Sequence, residues 1–278
     1  MKAKRVIGPL LRALALALFL VFAIFPLYWI IITSLKDVKE IYTFPLLYFP
    51  AHPMFKSYEK LFGFNDFGVY FRNSLVVTLL GSVGSLIFAV FSGFALSRNR
   101  RHLYTRRVLL LLYFSQMIPS FLLMTPLYTM VARAGGGDSL LVLGIIYIAT
   151  TLAFSAIMSK SFFDRIPVSI EEAALVDGCS TTQTLLRITL PVMVPGLIAI
   201  FSFSFVNIWN ELFMAVLFLS TPGKTTVPVA LNSFISKAGI SWDTMSAGIV
   251  MALLPTMLIF AFGQRYIVSG LTEGGVKG

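Results

Sequence analysis

Six long apolar segments, separated by shorter polar ones, make up most of this chain. They lie at residues 13–35, 73–97, 108–132, 139–159, 192–219 and 244–264. About 20 consecutive apolar residues suffice for a helix to cross the hydrocarbon core of a bilayer. The first segment alone would give a helix roughly 34 Å long. We therefore predict an all-α membrane protein with six transmembrane helices.

The first apolar segment follows a basic stretch, MKAKRVIGPLLR. A cleaved signal peptide is the competing interpretation, but its apolar region is shorter and ends at small residues. No such cleavage site follows this segment. We therefore favour a retained signal anchor, and we expect Pro26 to kink it.

The polar segments indicate the orientation of the chain. The segment SRNRRHLYTRR after the second span carries five arginines and no acid, so the positive-inside rule places it in the cytoplasm. Six spans then place both termini there. The proposed inner segments hold fourteen Lys and Arg residues, against eight in the outer ones. The outer segment 36–72 is mixed in charge and contains prolines, which predicts a structured loop with short helices. It contains no glycine-rich linker, so we treat 1–278 as a single domain.

Composition narrows the class further. At 57% hydrophobic and 12% charged, the chain has too little polar surface for a water-soluble domain. The basic residues behind the net charge of +10 lie between apolar segments, so anionic membrane lipid is the expected partner and nucleic acid is not. The single cysteine, Cys179, excludes an internal disulfide, and His52 and His102 lie far apart. We predict no metal site.

An ordered pattern of polar residues and glycine distinguishes the segment from Ser169 to Pro195. Ser169 is followed three residues later by Glu172, the spacing of a capping box at a helix start. This spacing predicts a helix from about Ile170 to Asp177. Gly178 then follows, and it can adopt the left-handed conformation that ends a helix.

A second helix is predicted directly after this glycine. Ser180 and Gln183 have the spacing of another capping box, and apolar residues follow them. Pro191 and Pro195 should then bend the chain into the fifth apolar segment. The whole loop, 160–191, connects the fourth and fifth spans and should be cytoplasmic.

The surface of this loop could rest on lipid or contact a protein. A helix resting on lipid headgroups usually carries Lys and Arg on its polar face. This one carries the acids Glu171, Glu172 and Asp177, and Ala173 and Ala174 are small enough for another backbone to approach. A connector on the lipid surface is therefore less favoured than docking to a protein.

The same loop resembles the EAA loop of the membrane subunits of ABC importers. Glu172-Ala173-Ala174, then Gly178, Ile188 and Leu190-Pro191, match its spacing without insertion or deletion. The resemblance implies a coupling helix that fits into a cleft on a separate cytoplasmic ATPase. The residues implied in this coupling are Glu171, Glu172, Ala173, Ala174, Asp177, Gly178, Ile188 and Pro191.

Polar residues also occur within the fifth apolar segment. Ser204, Asn207 and Glu211 lie three and four residues apart, hence on one helix face, with Asn210 beside them. A carboxylate in the apolar core costs on the order of 2.5 to 3.5 kcal/mol, so it normally faces protein or water. This face either lines a translocation path for a hydroxyl-rich solute, or Glu211 is structural and lies near the outer interface. The residues alone leave both open.

A narrower resemblance involves carbohydrate-uptake permeases of the maltose-transporter type, specifically the smaller of their two paired subunits. The similar segments cover almost the whole chain: Ser34-Leu35-Lys36, Asn73-Ser74-Leu75, Trp209-Asn210-Glu211, Lys224 to Val229 with Leu231, and Gln264 to Gly278. One departure is Gly275, where alanine is expected.

This resemblance implies the permease subunit of an ATP-driven, binding-protein-dependent sugar importer in a bacterial or archaeal cytoplasmic membrane. The implied partners are a cytoplasmic ATPase dimer, a second permease subunit, usually a distinct chain in this subtype, an extracytoplasmic solute-binding protein and a sugar. The outer loop from Ser220 to Asp243 would contact the binding protein. The tail from Arg265 to Gly278 would lie against the ATPases.

We expect this chain to bind no cofactor, with ATP and Mg²⁺ on the partner ATPase. Gly223-Lys224-Thr225 resembles part of a phosphate loop, but Phe218 occupies the position of the required first glycine. The chain is therefore expected to transport and not to catalyse. Two alternatives stay open at this point. One is an importer permease for glycerol phosphate esters or another small solute; the other is a self-contained secondary transporter or channel coupled through Glu211.

Overall fold

The protein is described here from a computed structural model, in which residues 2–64, 66–236 and 239–272 are described. These residues are mostly helical. In chain order the helices are α1 (Lys2–Ser34), α2 (Val38–Ile41), α3 (Lys56–Phe64), α4 (Phe67–Arg98), α5 (Leu103–Met117), α6 (Ser120–Arg133), α7 (Leu140–Phe163), α8 (Val168–Val176), α9 (Thr181–Thr184), α10 (Leu190–Val192), α11 (Val194–Trp209), α12 (Phe213–Phe218), α13 (Val227–Ser233) and α14 (Trp242–Thr272). A π-helical turn, Leu185–Thr189, joins α9 to α10, and two short strands, β1 (Ile235–Ser236) and β2 (Gly239–Ile240), form an antiparallel hairpin.

Four of the described helices are long and apolar enough to cross a membrane by themselves: Gly8–Ser34 in α1, α4, α7 and Trp242–Tyr266 in α14. Two further pairs of helices meet the same criterion together but are sharply bent. The described residues therefore provide four such helices, or six if each bent pair is one span. A mostly helical architecture with several apolar helices is thus confirmed, and the count of six stays a prediction.

The third predicted span, 108–132, is not one continuous helix. It falls on α5 and α6, which meet at an angle of 98°. Pro119 stands between them, where its missing N–H and fixed φ prevent the helical ladder from continuing. Pro126, in contrast, lies inside α6 without ending it.

The fifth predicted span, 192–219, is interrupted as well. The segment Thr181–Val192 and α11 meet at 78°, and the predicted bend at Pro191 and Pro195 is confirmed. Further along, α11 ends at Trp209, and α12 starts only at Phe213. Short helices are also found in the segment 36–72, as predicted.

The Cα atoms group into two compact units. The first contains the described residues of Met1–Gly68 and Ala230–Leu254. Within it, Leu61 is fully buried and Lys60 Nζ lies 2.8 Å from Asp243 Oδ2. Lys36 is also buried; its amine donates to the carbonyl of Leu47 and lies over the ring of Trp29. The treatment of 1–278 as one domain stays a prediction.

The second unit contains the described residues of Val69–Val229 and Pro255–Gly278. Its core packs α4, α7, α11 and α12 together through residues such as Val77, Leu143, Ile208 and Phe218. Small residues let the second predicted span, which lies within α4, pack closely on α7. A Cβ added at its Gly81, Gly84 or Gly93 would lie 3.0 Å or less from a side chain of α7.

Candidate functional site

The predicted coupling helix is present as α8, but it begins differently from the prediction. Pro167 is the N-cap and no side chain caps the helix start, so the capping box of Ser169 and Glu172 is wrong. Proline fixes φ near the value that a helix entry requires, and here the first turn closes when Ile170 N donates to Pro167 O at 3.2 Å. Ser169 therefore already lies inside the helix.

The end of α8 agrees with the prediction. Gly178 has φ +88°, and its N–H donates to Leu175 O at 3.1 Å. The next N–H, of Cys179, donates to Ala174 O at 3.0 Å. These two bonds form a Schellman motif, which satisfies the last carbonyls of the helix and needs a left-handed residue at this position.

The second capping box is confirmed at α9. Ser180 N donates to Gln183 Oε1 at 2.8 Å, and Gln183 N donates to Ser180 Oγ at 3.3 Å. The helix then widens into the π-helical turn Leu185–Thr189 instead of continuing with α-helical bonds. Such turns are uncommon and often occur at functional sites. Here the turn carries the buried Thr189 next to α8.

The structure divides the predicted coupling residues into exposed and buried ones. Glu171 and Ala174 are buried, so their side chains cannot contact a separate protein unless the loop rearranges. Ile188 is half-buried. The exposed members are Glu172, Ala173, Asp177, Gly178 and Pro191. Next to them, Val176 is 87% exposed, which adds an apolar group to this acidic surface.

Glu171 is paired with Arg98, the last residue of α4. Arg98 Nη2 lies 2.6 Å from Glu171 Oε1, and the side chains are 15% and 9% exposed, respectively. Sequence reasoning counted Arg98 only among the five arginines that orient the chain. Nothing in the spacing marks it, because its partner lies 73 residues away.

The polar residues of the fifth apolar segment have distinct environments. Glu211 follows the end of α11, and its carboxylate accepts hydrogen bonds from Met214 N at 2.9 Å and from Ala215 N at 3.2 Å. Tyr147 Oη donates to it at 2.7 Å. Glu211 therefore satisfies free amides in the first turn of α12, where a negative charge is also favoured by the helix dipole.

Ser204 is almost fully buried and belongs to a chain of hydroxyls. Ser85 Oγ donates to Ser155 Oγ at 3.1 Å, and Ser155 and Ser204 are also 3.1 Å apart. These bonds join α4, α7 and α11. Asn207 and Asn210 are exposed, and each amide donates to a carbonyl of its own helix, that of Phe203 and Val206, respectively.

A cavity of about 310 Å³ brings three of the predicted path residues together. Ser204, Asn207 and Glu211 line it, whereas Asn210 does not. Sequence reasoning missed the other polar residues of its wall, which belong to α5, α6 and α7: Gln116, Ser120, Thr150 and Thr151. Because they come from other segments, no local spacing connects them. The stacked rings of Phe154 and Phe203, 4.2 Å apart, also line the cavity.

The beginning of the predicted binding-protein loop is held by Asp138, in the turn before α7. Its carboxylate accepts from Ser220 N, from Thr221 N and Oγ1, and from Lys224 Nζ at 2.9 Å. The hydrogen bond from the Thr221 hydroxyl, with those from Lys224 and the two backbone amides, holds the pKa of Asp138 well below its usual value. Lys237 and Ala238 of this loop, and residues 273–278 of the tail, lie outside the described residues.

In the part of the chain that the structure describes, no group of three or more His, Cys, Asp and Glu side chains is placed to hold a metal ion.

The known proteins to which this chain is similar are components of transport systems. A family described as "Binding-protein-dependent transport system inner membrane component" matches residues 85–273. The chain is 36% identical to the inner membrane ABC transporter permease protein YcjP of Escherichia coli (strain K12), over 95% of this chain and 94% of that protein. It is 32% identical to the diacetylchitobiose uptake system permease protein DasC of Streptomyces coelicolor, over 92% of each.

A solved structure is also similar. It belongs to a bacterial ABC transporter involved in the import of the acidic polysaccharide alginate, and it matches with a TM-score of 0.82 at 24% identity, over 96% of this chain and 98% of that one. At this identity the likeness shows the fold.

Proposed function

Because this chain belongs to the family of inner membrane components of binding-protein-dependent transport systems, we propose that it is the permease subunit of an ATP-driven importer for a sugar or oligosaccharide. One observation carries the coupling part of this proposal. The loop that resembles the EAA loop folds into a helix, α8, that ends in a Schellman motif at Gly178 and presents Glu172, Ala173 and Asp177 on its surface.

The cavity in the second unit supports a hydroxyl-rich solute. Its described wall offers hydroxyl and amide groups, which exchange hydrogen bonds with sugar hydroxyls, and an aromatic pair that can pack against an apolar sugar face. Those described residues include no Lys or Arg, so they offer no counter-charge to a phosphate ester. The Streptomyces relative, a diacetylchitobiose uptake system permease, agrees with a sugar.

For the membrane topology, we propose the six spans that the apolar segments predict, with α5 and α6 together forming the third span and α11 and α12 forming the fifth. Both termini and the loop 160–191 would then lie in the cytoplasm. The loop from Ser220 to Asp243 would face the extracytoplasmic binding protein, and the described part of the tail after Arg265 would approach the ATPase dimer. A second permease chain would complete the translocation path, and ATP and Mg²⁺ would bind to the ATPases.

As a mechanism, closure of the ATPase dimer would move α8, and the spans would alternate between inward-open and outward-open states. A partner must favour one state by roughly 5.5 kcal/mol to turn a 1:99 population into 99:1. ATP binding can supply this free-energy difference between the inward-open and outward-open states only if α8 moves together with the spans. The binding protein would deliver the solute to the outward-open state.

The proposal is tested by purifying the subunit gently from native membranes and identifying the accompanying proteins by mass spectrometry. We expect an ATPase, a second permease and a binding protein, and ATP hydrolysis that diacetylchitobiose or a related oligosaccharide stimulates in the presence of that binding protein. Stimulation by glycerol phosphate esters alone would reject the sugar assignment. Transport by the isolated subunit in ATP-free vesicles would reject the importer and make Glu211 the candidate coupling group.

The exposed Glu172 provides a sharper test of the coupling surface. We expect Glu172→Lys to abolish uptake, because it replaces an acid at the proposed ATPase contact by a base, while membrane insertion stays normal. Uptake and the amount of protein in the membrane are measured together. Glu59→Lys is the matched control, since Glu59 is also exposed and lies on α3 in the predicted outer segment. Normal uptake by Glu172→Lys would show that this surface does not couple transport to ATP.

A further inference from the structure

We infer that the largely buried ion pair of Arg98 and Glu171 transmits movement of α8 to the membrane spans, as a joint between them, so that both are positioning residues for transport. This inference rests on the proposed function and assigns a role to residues inside the coupling loop, as distinct from those on its surface.

The two side chains meet in a forked geometry. Arg98 Nε lies 2.9 Å from Glu171 Oε2 and 3.0 Å from Oε1, and Nη2 lies 2.6 Å from Oε1. A planar guanidinium that faces both carboxylate oxygens fixes the orientation of the pair as well as its distance. The position of α8 is thereby tied to the last residue of α4.

The other donors of Arg98 reach two further elements. Nη1 donates to the carbonyl of Phe163, the last residue of α7, at 3.1 Å, and to Ser97 Oγ at 3.0 Å. Nη2 also donates to the carbonyl of Ile166, in the connection between α7 and α8, at 3.3 Å. All three guanidinium nitrogens are thus bonded, and one side chain holds the ends of α4 and α7 and the start of the coupling loop.

The carboxylate extends the network to the second half of the loop. The hydroxyl of Thr189, which is fully buried in the π-helical turn, lies 3.3 Å from Glu171 Oε1 and 3.3 Å from the carbonyl of Thr184, so its proton is shared between the carboxylate and its own turn. This turn leads through α10 into α11. The ion pair therefore contacts the elements that enter and leave the coupling loop, and it links α8 to α4, α7 and the turn before α11.

Burial makes this junction stiff. A buried ion pair that loses one partner leaves an uncompensated charge, which is strongly unfavourable, so the network resists partial opening. Lysine would keep the charge of Arg98, but it could not form the fork or supply five N–H donors. We therefore expect even Arg98→Lys to loosen α8 relative to the spans.

The experiment compares Arg98→Lys with Arg101→Lys in the purified importer complex. Arg101 is exposed three residues further along the same polar segment, so it is a matched arginine outside the junction. The first readout is the ratio of ATP hydrolysis with and without the co-purified binding protein, because a signal from the outer side must cross the spans to reach the ATPases. A purely structural loss would lower both rates together and leave their ratio unchanged.

The second readout needs no partner. Cys179 is the sole cysteine of the chain, and it lies directly after Gly178 at the end of α8. A nitroxide spin label attached to it reports the mobility of the coupling loop in the isolated subunit, without removal of other thiols.

We expect Arg98→Lys to reduce the stimulation ratio by roughly fivefold or more, the lower end of typical coupling between sites, and to increase label mobility. Arg101→Lys should match the unchanged protein in both. Should Arg98→Lys fail to assemble, Thr189→Val removes the shared hydroxyl contact to Glu171 and to the carbonyl of Thr184, leaves the ion pair in place, and should shift both readouts in the same direction by less. An unchanged ratio and unchanged mobility would overturn the joint. If no ATPase is recovered at all, the proposed function is wrong. The label on the isolated subunit then still tests the role of the ion pair, because unchanged mobility in Arg98→Lys would reject it.

Discussion

At the scale of single residues, Glu211 shows how a carboxylate is accommodated in an apolar segment. Two backbone amides and the hydroxyl of Tyr147 donate to it, so its charge is satisfied by the break between α11 and α12. It also lines the cavity of the second unit. The two interpretations of Glu211, path lining and structural, are therefore compatible. Its carboxylate can accept hydrogen bonds from the first turn of α12 and border the cavity at the same time.

Asp138 gives a prediction about pH. Its pKa is lowered in the folded protein, so the docked loop at Ser220 and Thr221 is stabilised at every pH above the ordinary aspartate value of about 3.9. That stabilisation should be lost as the pH falls below this value through the lower native pKa. Hydrogen exchange at the amides of Ser220 and Thr221, corrected for the intrinsic rate, should show constant protection from pH 7 to about 4 and less protection below.

The control for this pH dependence is Asp138→Asn, which cannot ionise. It should reduce protection of the same two amides already at pH 7 and remove the change below pH 4. Equal protection of the two proteins at neutral pH would show that the carboxylate does not hold the loop.

At the scale of helices, α4 depends on small residues where it contacts α7. A Cβ added at Gly93 would lie 2.4 Å from Ser159 Oγ and 2.8 Å from the backbone N of Lys160. Side chains can rotate away from such a contact, but a helix backbone cannot without moving the whole helix. The approach of the two helices at this point therefore requires glycine.

We expect Gly93→Ala to lower the free energy of unfolding by about 1 to 3 kcal/mol, the usual cost of overpacking a tight contact. Gly68→Ala is the matched control in the same helix, because no atom of the described residues, apart from the adjoining backbone of the helix itself, lies within 4 Å of its added Cβ. In an exposed turn of helix, alanine is as good as glycine or better. Denaturation in mixed micelles measures both variants, and an equal effect of the two would show that the contact at Gly93 is loose.

At the scale of the whole molecule, the proposed topology fixes which side of the membrane carries the coupling loop. The sole cysteine makes this directly testable, since Cys179 lies in that loop and is partly exposed. A membrane-impermeant maleimide should label it in inside-out vesicles and not in intact spheroplasts. The subunit is expressed without its partners, so that no docked ATPase covers the thiol. Labelling from the outer side would reverse the proposed orientation.

Much of this architecture follows from the sequence. A segment that crosses a bilayer must be long and apolar, and its backbone must form its own hydrogen bonds. The apolar segments and the helical class could therefore be predicted directly from the sequence, and so could the arginine-rich loop between two spans. Helix ends such as Gly178 and Ser180 with Gln183 were also predictable, because caps are formed by residues within one turn of each other. The start of α8 was predicted incorrectly because Pro167 and the capping pair at Ser169 competed for the same turn.

The sequence by itself thus determined what depends on neighbours along the chain: the apolar segments, the bend at Pro191 and Pro195, the caps at Gly178 and Ser180, and the family. Only the tertiary structure decided which of two adjacent acids is exposed and which is buried. It paired Glu171 with Arg98 and assembled the cavity from α5, α6, α7 and α11. These contacts join residues far apart in the chain, and packing of whole helices, which no local spacing records, brings them together.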